Sequence, residues 1–252
     1  MDIRLDNKVA LVTGGANGIG LACAEMLAAS GAQIAIVDYD AEALPKAVEV
    51  VSKQGPAAKG YLQDVREVSA LEPLVGRIRK EVGEIDILVC SAGINIPELA
   101  HEVTEETWDA IHRVNLRGLF FCNQAVAVQS MMPRRRGVII NIASQMGLVG
   151  GVKRAAYCAS KGGVVMMSKA EAIDWADYDI RVNVVAPTFV KTRLSDGMLS
   201  DPDFKQYILD NILFHRLATL EDVASAVCFL SSDEAGMITG IALPVDGGWT
   251  AH

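Results

Sequence analysis

No run of 18 or more apolar residues occurs in this chain of 252 residues, so the sequence predicts no membrane span. An excess of positive charge is also missing. The net charge is −8 and the sequence pI is about 5.0. Little is left to neutralise phosphates, which disfavours nucleic acid or an anionic membrane as partner. The compact basic run Arg134-Arg135-Arg136 reads most simply as a solvated loop; the alternative is a docking point for an acidic carrier protein. Cysteine is sparse and scattered: Cys23, Cys90, Cys122, Cys158 and Cys228 are odd in number and show no Cys-x-x-Cys spacing. Neither a disulfide framework nor a zinc site is suggested, and most read as small buried hydrophobes. Cys158 stands apart because it adjoins Tyr157. His101, His112, His215 and His252 show no metal-ligand spacing, so no metal is expected. Residues 1–8 lack the apolar region of a signal peptide, and a cytoplasmic protein is the expectation.

The chain is 51% hydrophobic and 21% charged, enough for one sizeable core. Short apolar runs alternate with helical patterns. Strands are expected at 9–12, 33–37, 58–62, 85–90, 138–143, 181–186 and 241–245; Pro244 in the last suits a sheet edge. Helices are expected at 21–30, 41–53, 68–82, from the N-cap Thr104 to about 129, from 155 to about 178, and at 220–230. Pro73 is assigned to a tolerant first turn. This alternation predicts an α/β fold: a single Rossmann-type doubly wound domain over 1–252, with a seven-stranded, mostly parallel sheet and helices on both faces. Ligands then bind at the strand C-terminal ends. From Thr188 to Phe214 the pattern is irregular, with Gly197, Pro202 and the apolar Leu194, Met198, Leu199, Phe204, Tyr207 and Ile208. It reads as a substrate lid over about 188–215.

Tyr157 and Lys161 are four apart and share a helix face. Ser144, at the end of the fifth strand, meets that face across a glycine-containing loop. A free phenol titrates near about 10, and a neighbouring ammonium lowers that value. The tyrosine is then suited to general acid–base work on an alcohol or ketone, while a serine hydroxyl holds the carbonyl oxygen as charge develops on it. The plain alternative is a surface Tyr and Lys on an ordinary helix. Lys153 and Arg154 precede that helix. The simpler reading leaves both in solvent; the other lets them attract a substrate carboxylate.

Thr13-Gly14-Gly15-Ala16-Asn17-Gly18-Ile19-Gly20 follows a strand and opens a helix, the setting of a phosphate cradle. Asp38 ends the second strand, where an acid takes the adenosine ribose hydroxyls and repels a 2′-phosphate; this points to NAD rather than NADP. The alternative is that Asp38 caps the following helix, a task open to Asp40. Asp64 either meets an adenine amino group or caps a helix. Asn115, inside a helix, is either a hydrogen-bonded packing residue or a local break that holds water behind the site.

Taken in order, that glycine turn, Ser91-Ala92-Gly93, Asn115, Ser144, Tyr157-x-x-x-Lys161, Arg181-Val182-Asn183 and Val245-Asp246-Gly247-Gly248 resemble the short-chain dehydrogenase/reductase family over nearly the whole chain. The resemblance implies that Tyr157 is the acid/base and that Ser144 polarises the substrate oxygen. Lys161 would lower the tyrosine pKa and hold the nicotinamide ribose, and Asn115 would keep a water in the proton relay. It implies NAD contacts from Gly14, Asn17, Gly18, Ile19, Gly20, Asp38, Asp64, Val65, Ser91, Ala92, Gly93, Tyr157, Lys161, Pro187, Val190 and Thr192. Substrate contacts would come from Ser144, Tyr157, Gln145 and Asn95. Two departures stand out: Cys90-Ser91 replaces the family's usual pair of asparagines, and Thr188 follows Pro187 where glycine is usual. The ending Val245–Ala251 and the stretch Ala92–Asn95 resemble the sugar-acid and polyol dehydrogenases, gluconate 5-dehydrogenase among them. The family also implies a homotetramer. A 3-oxoacyl-thioester reductase and a cofactor-binding protein without turnover are the competing readings.

Overall fold

The structure, a computed structural model, describes residues 3–192 and 196–251. Leu194 of the expected lid and His252 lie outside the described residues, as does the Met198 side chain. Seven strands, β1 (Val9–Thr13), β2 (Gln33–Asp38), β3 (Lys59–Leu62), β4 (Ile87–Cys90), β5 (Gly137–Ile142), β6 (Ile180–Pro187) and β7 (Ala242–Val245), form one sheet. Their order is β3-β2-β1-β4-β5-β6-β7. Every pairing is parallel, where the sequence predicts a mostly parallel sheet. β1 and β4 are buried from end to end, because layers on both faces cover them; this is why they read as unbroken apolar runs. β7 is an edge strand, so the missing N–H of Pro244 is tolerated there.

The helices are α1 (Gly18–Ala29), α2 (Ala43–Ser52), α3 (Val68–Glu81), α4 (Glu105–His112), α5 (Leu119–Val126), α6 (Ala155–Asp174), α7 (Asp196–Leu199), α8 (Pro202–Asn211) and α9 (Leu220–Ser231). On one face Leu27, Val51 and Val227 from α1, α2 and α9 pack with Ile34, Ile36 and Val89. On the other Val75, Ile78, Val126 and Val164 from α3, α5 and α6 pack with Leu11, Leu88 and Ile139. The sheet is thus doubly wound. The chain runs outward from β1 to β3, then returns to β4 on the opposite side of β1. That reversal opens a crevice at the strand C-terminal ends. Among the described residues, no helix is long and apolar enough to cross a membrane.

Three local expectations change. Pro73 is the sixth residue of α3, past the first turn, so it removes one intrahelical bond rather than none. The stretch read as irregular contains α8, started by Asp201, whose carboxylate accepts from the N–H of Asp203 (3.0 Å) and Phe204 (3.3 Å), with Pro202 at the first position. The basic run is only partly solvated. Arg134 donates to the carbonyls of Ser130 (2.7 Å) and Ile85 (2.6 Å) and to Asp86 (2.7 Å), while Arg135 and Arg136 stay exposed. Asp86 accepts the β1 amide of Val9 at 3.0 Å, and Ser130 accepts the Ile85 amide at 2.7 Å. The arginine therefore pins the N-terminal ends of the strands.

Candidate active site

At the other end of the sheet the glycine turn leaves β1. Gly14 adopts φ +65, and a Cβ there would lie 2.6 Å from the Ala92 amide nitrogen. A Cβ on Gly20 would lie 2.1 Å from the Gly14 carbonyl oxygen. Only glycine permits this interlock between the turn, α1 and the 91–93 segment. Asn17 is the N-cap of α1 in extended conformation, without a side-chain cap bond, so first-turn N–H groups are positioned for an anion. Ile19 stands in that turn and borders the cavity described below. The Thr192 side chain approaches within 3.4 Å of the Cβ direction of Gly18. The segment after β6 therefore overhangs the turn.

Asp38 is 7% exposed. Its carboxylate accepts from the amides of Ala16 and Asp40, each at 3.0 Å, so it sits beside the glycine turn. Asp40 is the residue that starts α2, accepting from Glu42 (3.1 Å) and Ala43 (3.0 Å). The capping alternative for Asp38 is thereby removed. The N-cap of α3 is Glu67, so the capping alternative for Asp64 falls away; Asp64 holds Arg66, through the amide at 2.9 Å and the guanidinium Nε at 2.8 Å. That hydrogen bond keeps the Asp64 pKa below its usual value. Val65 is buried, and its carbonyl lies 2.7 Å from where a Gly118 Cβ would stand. The cradle, the anion-ready helix start and the acid at the end of β2 together fit a dinucleotide.

Ser144, Asn115, Tyr157 and Lys161 converge at the ends of β4 and β5. Ser144 caps a 3-10 turn through the Met146 amide at 3.1 Å, and it lines the same cavity as Tyr157. Lys161 is 4% exposed and donates to the Ile142 carbonyl at 2.8 Å. Its Nζ lies 5.9 Å from the Tyr157 ring centroid. Burial brings the ammonium pKa down to about 8. Burial also raises the phenol pKa, outweighing the Ser144 hydroxyl and the Arg154 charge, which lower it. The net shift of the phenol is thus upward, against the lowering expected from Lys161.

Asn115 lies in a π-helical turn, Arg113–Gly118, inserted between α4 and α5. Its Oδ1 accepts from the Ile94 amide at 2.8 Å; its Nδ2 donates to the Ile94 carbonyl at 2.9 Å and to Ser160 at 3.1 Å. Ser160 in turn donates to the Tyr157 carbonyl at 2.8 Å. Asn115 is therefore both a packing residue and the site of a helical break, and it ties the 91–95 segment to the helix bearing Tyr157. A Cβ at Gly93 would stand 3.4 Å from Asn115 Oδ1 and 3.5 Å from Lys161 Nζ. Ser91 donates its amide to Thr13 at 3.1 Å. Cys90 points away into the core and donates to Asn123 Oδ1 at 3.3 Å, so its departure from the family pattern is absorbed by packing beneath the site.

A cavity of about 90 Å³ adjoins this group, with Asn95, Gln145, Arg154, Pro187, Thr188 and Val190 in its walls beside Ser144 and Tyr157. Gln145 is 1% exposed, and neither its amide oxygen nor its nitrogen has a hydrogen-bond partner among the described residues. The buried Thr188 hydroxyl is likewise unpartnered. Lys153 and Arg154 part company. Lys153 is exposed at φ 58, a left-handed conformation, whereas Arg154 is only 6% exposed and faces the cavity. The reading that left both in solvent holds for Lys153 alone. Sequence reasoning also missed the aromatic clasp on the far wall. Phe189 packs on Phe204 (centroids 5.8 Å apart) and on Trp249 (6.0 Å), and Tyr207 packs on Trp249 at 6.0 Å. The Asp246-Gly247-Gly248 turn sets this clasp. Asp246 accepts from the Gly248 and Thr250 amides, and Cβ atoms on the two glycines would lie 2.6 Å from Ile212 and from Leu213. Cys158 is not poised for reaction, since burial raises its thiol pKa.

Residues 14–250 match a family model described as enoyl-(acyl carrier protein) reductase. The D-threitol dehydrogenase of Mycolicibacterium smegmatis is 40% identical over 99% of this chain and 95% of its own. The 3-oxoacyl-acyl-carrier-protein reductase of Haemophilus influenzae is 40% identical over 97% and 98%. A gluconate 5-dehydrogenase from Burkholderia cenocepacia, solved with NADP and tartrate, superposes with a TM-score of 0.95 at 35% identity, covering 99% and 97%. Fold, motif order and these likenesses agree: the chain belongs to the short-chain dehydrogenase/reductase family of oxidoreductases.

Proposed function

We propose that the protein is an NAD-linked dehydrogenase acting on a secondary alcohol or its ketone, with a polyol, sugar or sugar acid as substrate. The observation that carries this reading is the meeting of Ser144, Tyr157 and Lys161 beside the cavity at the reversal point of the sheet. Bound nicotinamide supplies the hydride acceptor or donor. The chain supplies the rest. Gly14, Gly18 and Gly20 let the backbone approach the pyrophosphate, flanked by Asn17, Ile19 and Thr192. Asp38 takes the ribose hydroxyls, Val65 borders the adenine, and Ala92, Gly93, Pro187 and Val190 wall the nicotinamide end. Ser144 holds the substrate oxygen. Tyr157 receives the alcohol proton during oxidation and returns it during reduction. Lys161 holds the ribose and steadies the tyrosine, and Asn115 keeps the segment around Gly93 in place and serves the proton relay. The described residues on either side of 193–195, from Thr188 to His215, are assigned to the lid.

NAD is favoured because the Asp38 carboxylate lies where a 2′-phosphate would otherwise sit, and such closeness of like charges is costly. The related gluconate 5-dehydrogenase was solved with NADP, so the coenzyme needs a direct test. Arg66, after the end of β3, is engaged by Asp64. We expect an absorbance assay of polyols, aldonic acids and simple secondary alcohols to show turnover with NAD well above that with NADP. Equal turnover with both would sink the coenzyme assignment.

A second reading, a 3-oxoacyl-thioester reductase, is supported by the family-model description, the Haemophilus relative and the apolar Phe189, Phe204 and Ile208 near the cavity. The polar Gln145 and Arg154 weigh against an acyl chain. Oxidation of NADH by an acetoacetyl thioester, with silence across the alcohol panel, would replace the first reading with this one. Apolar side chains exposed on and beside α6 (Met166, Ile173 and Val128) support a homotetramer, for which light scattering is the check.

A further inference from the structure

Gln145 carries a buried amide that holds no part of its own turn. The 3-10 turn after Ser144 is closed by other groups. The Ser144 hydroxyl accepts from the Met146 amide at 3.1 Å, and the Leu148 and Val149 amides donate to the Gln145 carbonyl at 2.8 and 3.0 Å. The turn lies close on α6, where a Cβ at Gly147 would stand 2.8 Å from the Lys161 carbonyl. The backbone of Gln145 is therefore fixed without its head group. Gln145 is 1% exposed and lines the cavity with Ser144 and Tyr157, yet neither its amide oxygen nor its nitrogen is paired among the described residues. Thr188 repeats the pattern from the end of β6. Its backbone amide donates to the Val245 carbonyl at 3.0 Å. Its side chain is buried in the wall of the same cavity, with the hydroxyl unpaired.

Buried polar groups in proteins are nearly always paired. Two such side chains left open in one cavity of about 90 Å³ mark a place that a ligand completes. The open atoms state what that ligand must carry. The amide oxygen needs a donor, which neither a ketone nor a carboxylate supplies. The amide nitrogen needs an acceptor, and the Thr188 hydroxyl takes either role. A hydroxyl group both donates and accepts, so it answers this set, and both side chains are neutral, so no charge is required of it. In so small a space, that hydroxyl stands on the carbon next to the reacting one.

We propose that Gln145 and Thr188 form a subsite for a second hydroxyl, adjacent to the one that is oxidised at Ser144 and Tyr157. The substrate is then a vicinal diol and the product an α-hydroxyketone, rather than an isolated secondary alcohol and its simple ketone. This rests on the dehydrogenase reading and narrows it. The reacting carbon gives up a hydride to bound NAD and its hydroxyl gives up a proton to Tyr157, while the second hydroxyl is held and stays unchanged.

The test is binding to the enzyme saturated with NADH, in which an alcohol cannot turn over. The diol 2,3-butanediol and the alcohol 2-butanol share a four-carbon skeleton and differ by one hydroxyl on the adjacent carbon. Each stereoisomer is titrated, and the change in NADH fluorescence reads its affinity. In wild type the best-bound diol is expected to bind roughly 10- to 100-fold more tightly than the best-bound alcohol. Gln145→Leu keeps the bulk and removes both amide atoms, so that ratio should fall several-fold or more, with the loss on the diol. Thr188→Val should lower it less. NADH affinity and melting temperature report whether each variant is folded; should Gln145→Leu not fold, Thr188→Val carries the comparison by the same criteria. A ratio near one in wild type, an unchanged ratio in the folded variant, or equal weakening of both ligands overturns the proposal. Oxidation of 2-butanol as fast as the diol would sink the subsite and keep the dehydrogenase reading. A Gln145-dependent preference for the diol, without its oxidation by either coenzyme, would keep the subsite and sink the dehydrogenase reading.

Discussion

The two ends of the sheet treat buried polar groups in opposite ways. At the strand N-terminal ends the cluster around Arg134 closes its bonds within the protein. Asp86 meets the Val9 amide and Arg134, Arg134 meets the Ile85 and Ser130 carbonyls, and Ser130 meets the Ile85 amide. At the C-terminal ends, Gln145 and Thr188 are buried with their polar atoms unpartnered among the described residues. Leaving such groups unsatisfied costs roughly 1–3 kcal/mol each. The closed end holds the strands together, and the open end spends stability on recognition. Burial alone does not separate the two; completeness of hydrogen bonding does.

The sharpest way to test the contrast is to strike each end and read both stability and turnover. Tyr157→Phe should lower kcat by roughly 10²- to 10⁴-fold, with melting temperature and NADH affinity nearly unchanged; substantial residual turnover would remove Tyr157 as the acid/base. Asp86→Ala should do the reverse. Urea unfolding should show a loss of about 3–5 kcal/mol, the usual cost of leaving a largely buried ion pair half-broken. KM of the folded enzyme should hold. A large KM change there would mean the two ends are coupled.

A smaller effect lies between the ends. Glu171 on α6 is buried, accepts from Asn123 at 2.9 Å, and has its pKa raised to about 8, chiefly by burial. Between the ordinary carboxylate value of 4.5 and about 8, the folded chain keeps a proton that the unfolded chain has released. Stability therefore falls as pH rises through that window. Glu171→Gln should flatten this dependence, so that melting curves of variant and wild type diverge progressively from pH 5 to pH 8. Parallel curves would place the proton elsewhere. The smallest expected effect is that of Lys153→Gly. It relieves a left-handed residue but adds backbone freedom to the unfolded chain, and chemical denaturation should place it within about 0.5 kcal/mol of wild type.

Most of the fold was legible because a parallel sheet buried on both faces writes itself as short apolar runs. The Ser144, Tyr157 and Lys161 group was legible because a strand end and a helical four-residue spacing are local facts. What escaped depended on contacts remote in sequence or on a single dihedral. Arg134 looked solvated since its partners, Ile85 and Asp86, lie nearly fifty residues away. Lys153 and Arg154 looked alike since nothing in their side chains reveals that φ 58 at the first turns the second inward. The α8 helix was readable in principle from Asp201-Pro202, a cap followed by a first-turn proline, but the flanking glycine and polar residues masked its period. Spacing suggested that Lys161 lowers the Tyr157 pKa, whereas burial raises that pKa and lowers the one of Lys161.

The π turn at Arg113–Gly118 has a consequence for how such a chain can change over evolutionary time. One extra residue per turn shifts the angular phase of everything after it relative to everything before. α4 and α5 thus form one rod with a slip joint. Substitutions in α4 near Asn115 alter the approach to the site without rotating Leu119, Cys122 and Val126 out of the core. Rewinding the segment evenly as α-helix at its present length would swing that buried stripe by roughly 100°. The extra residue and the wide turn therefore go together, so relatives that keep the turn should vary in the letters of this segment while keeping its count.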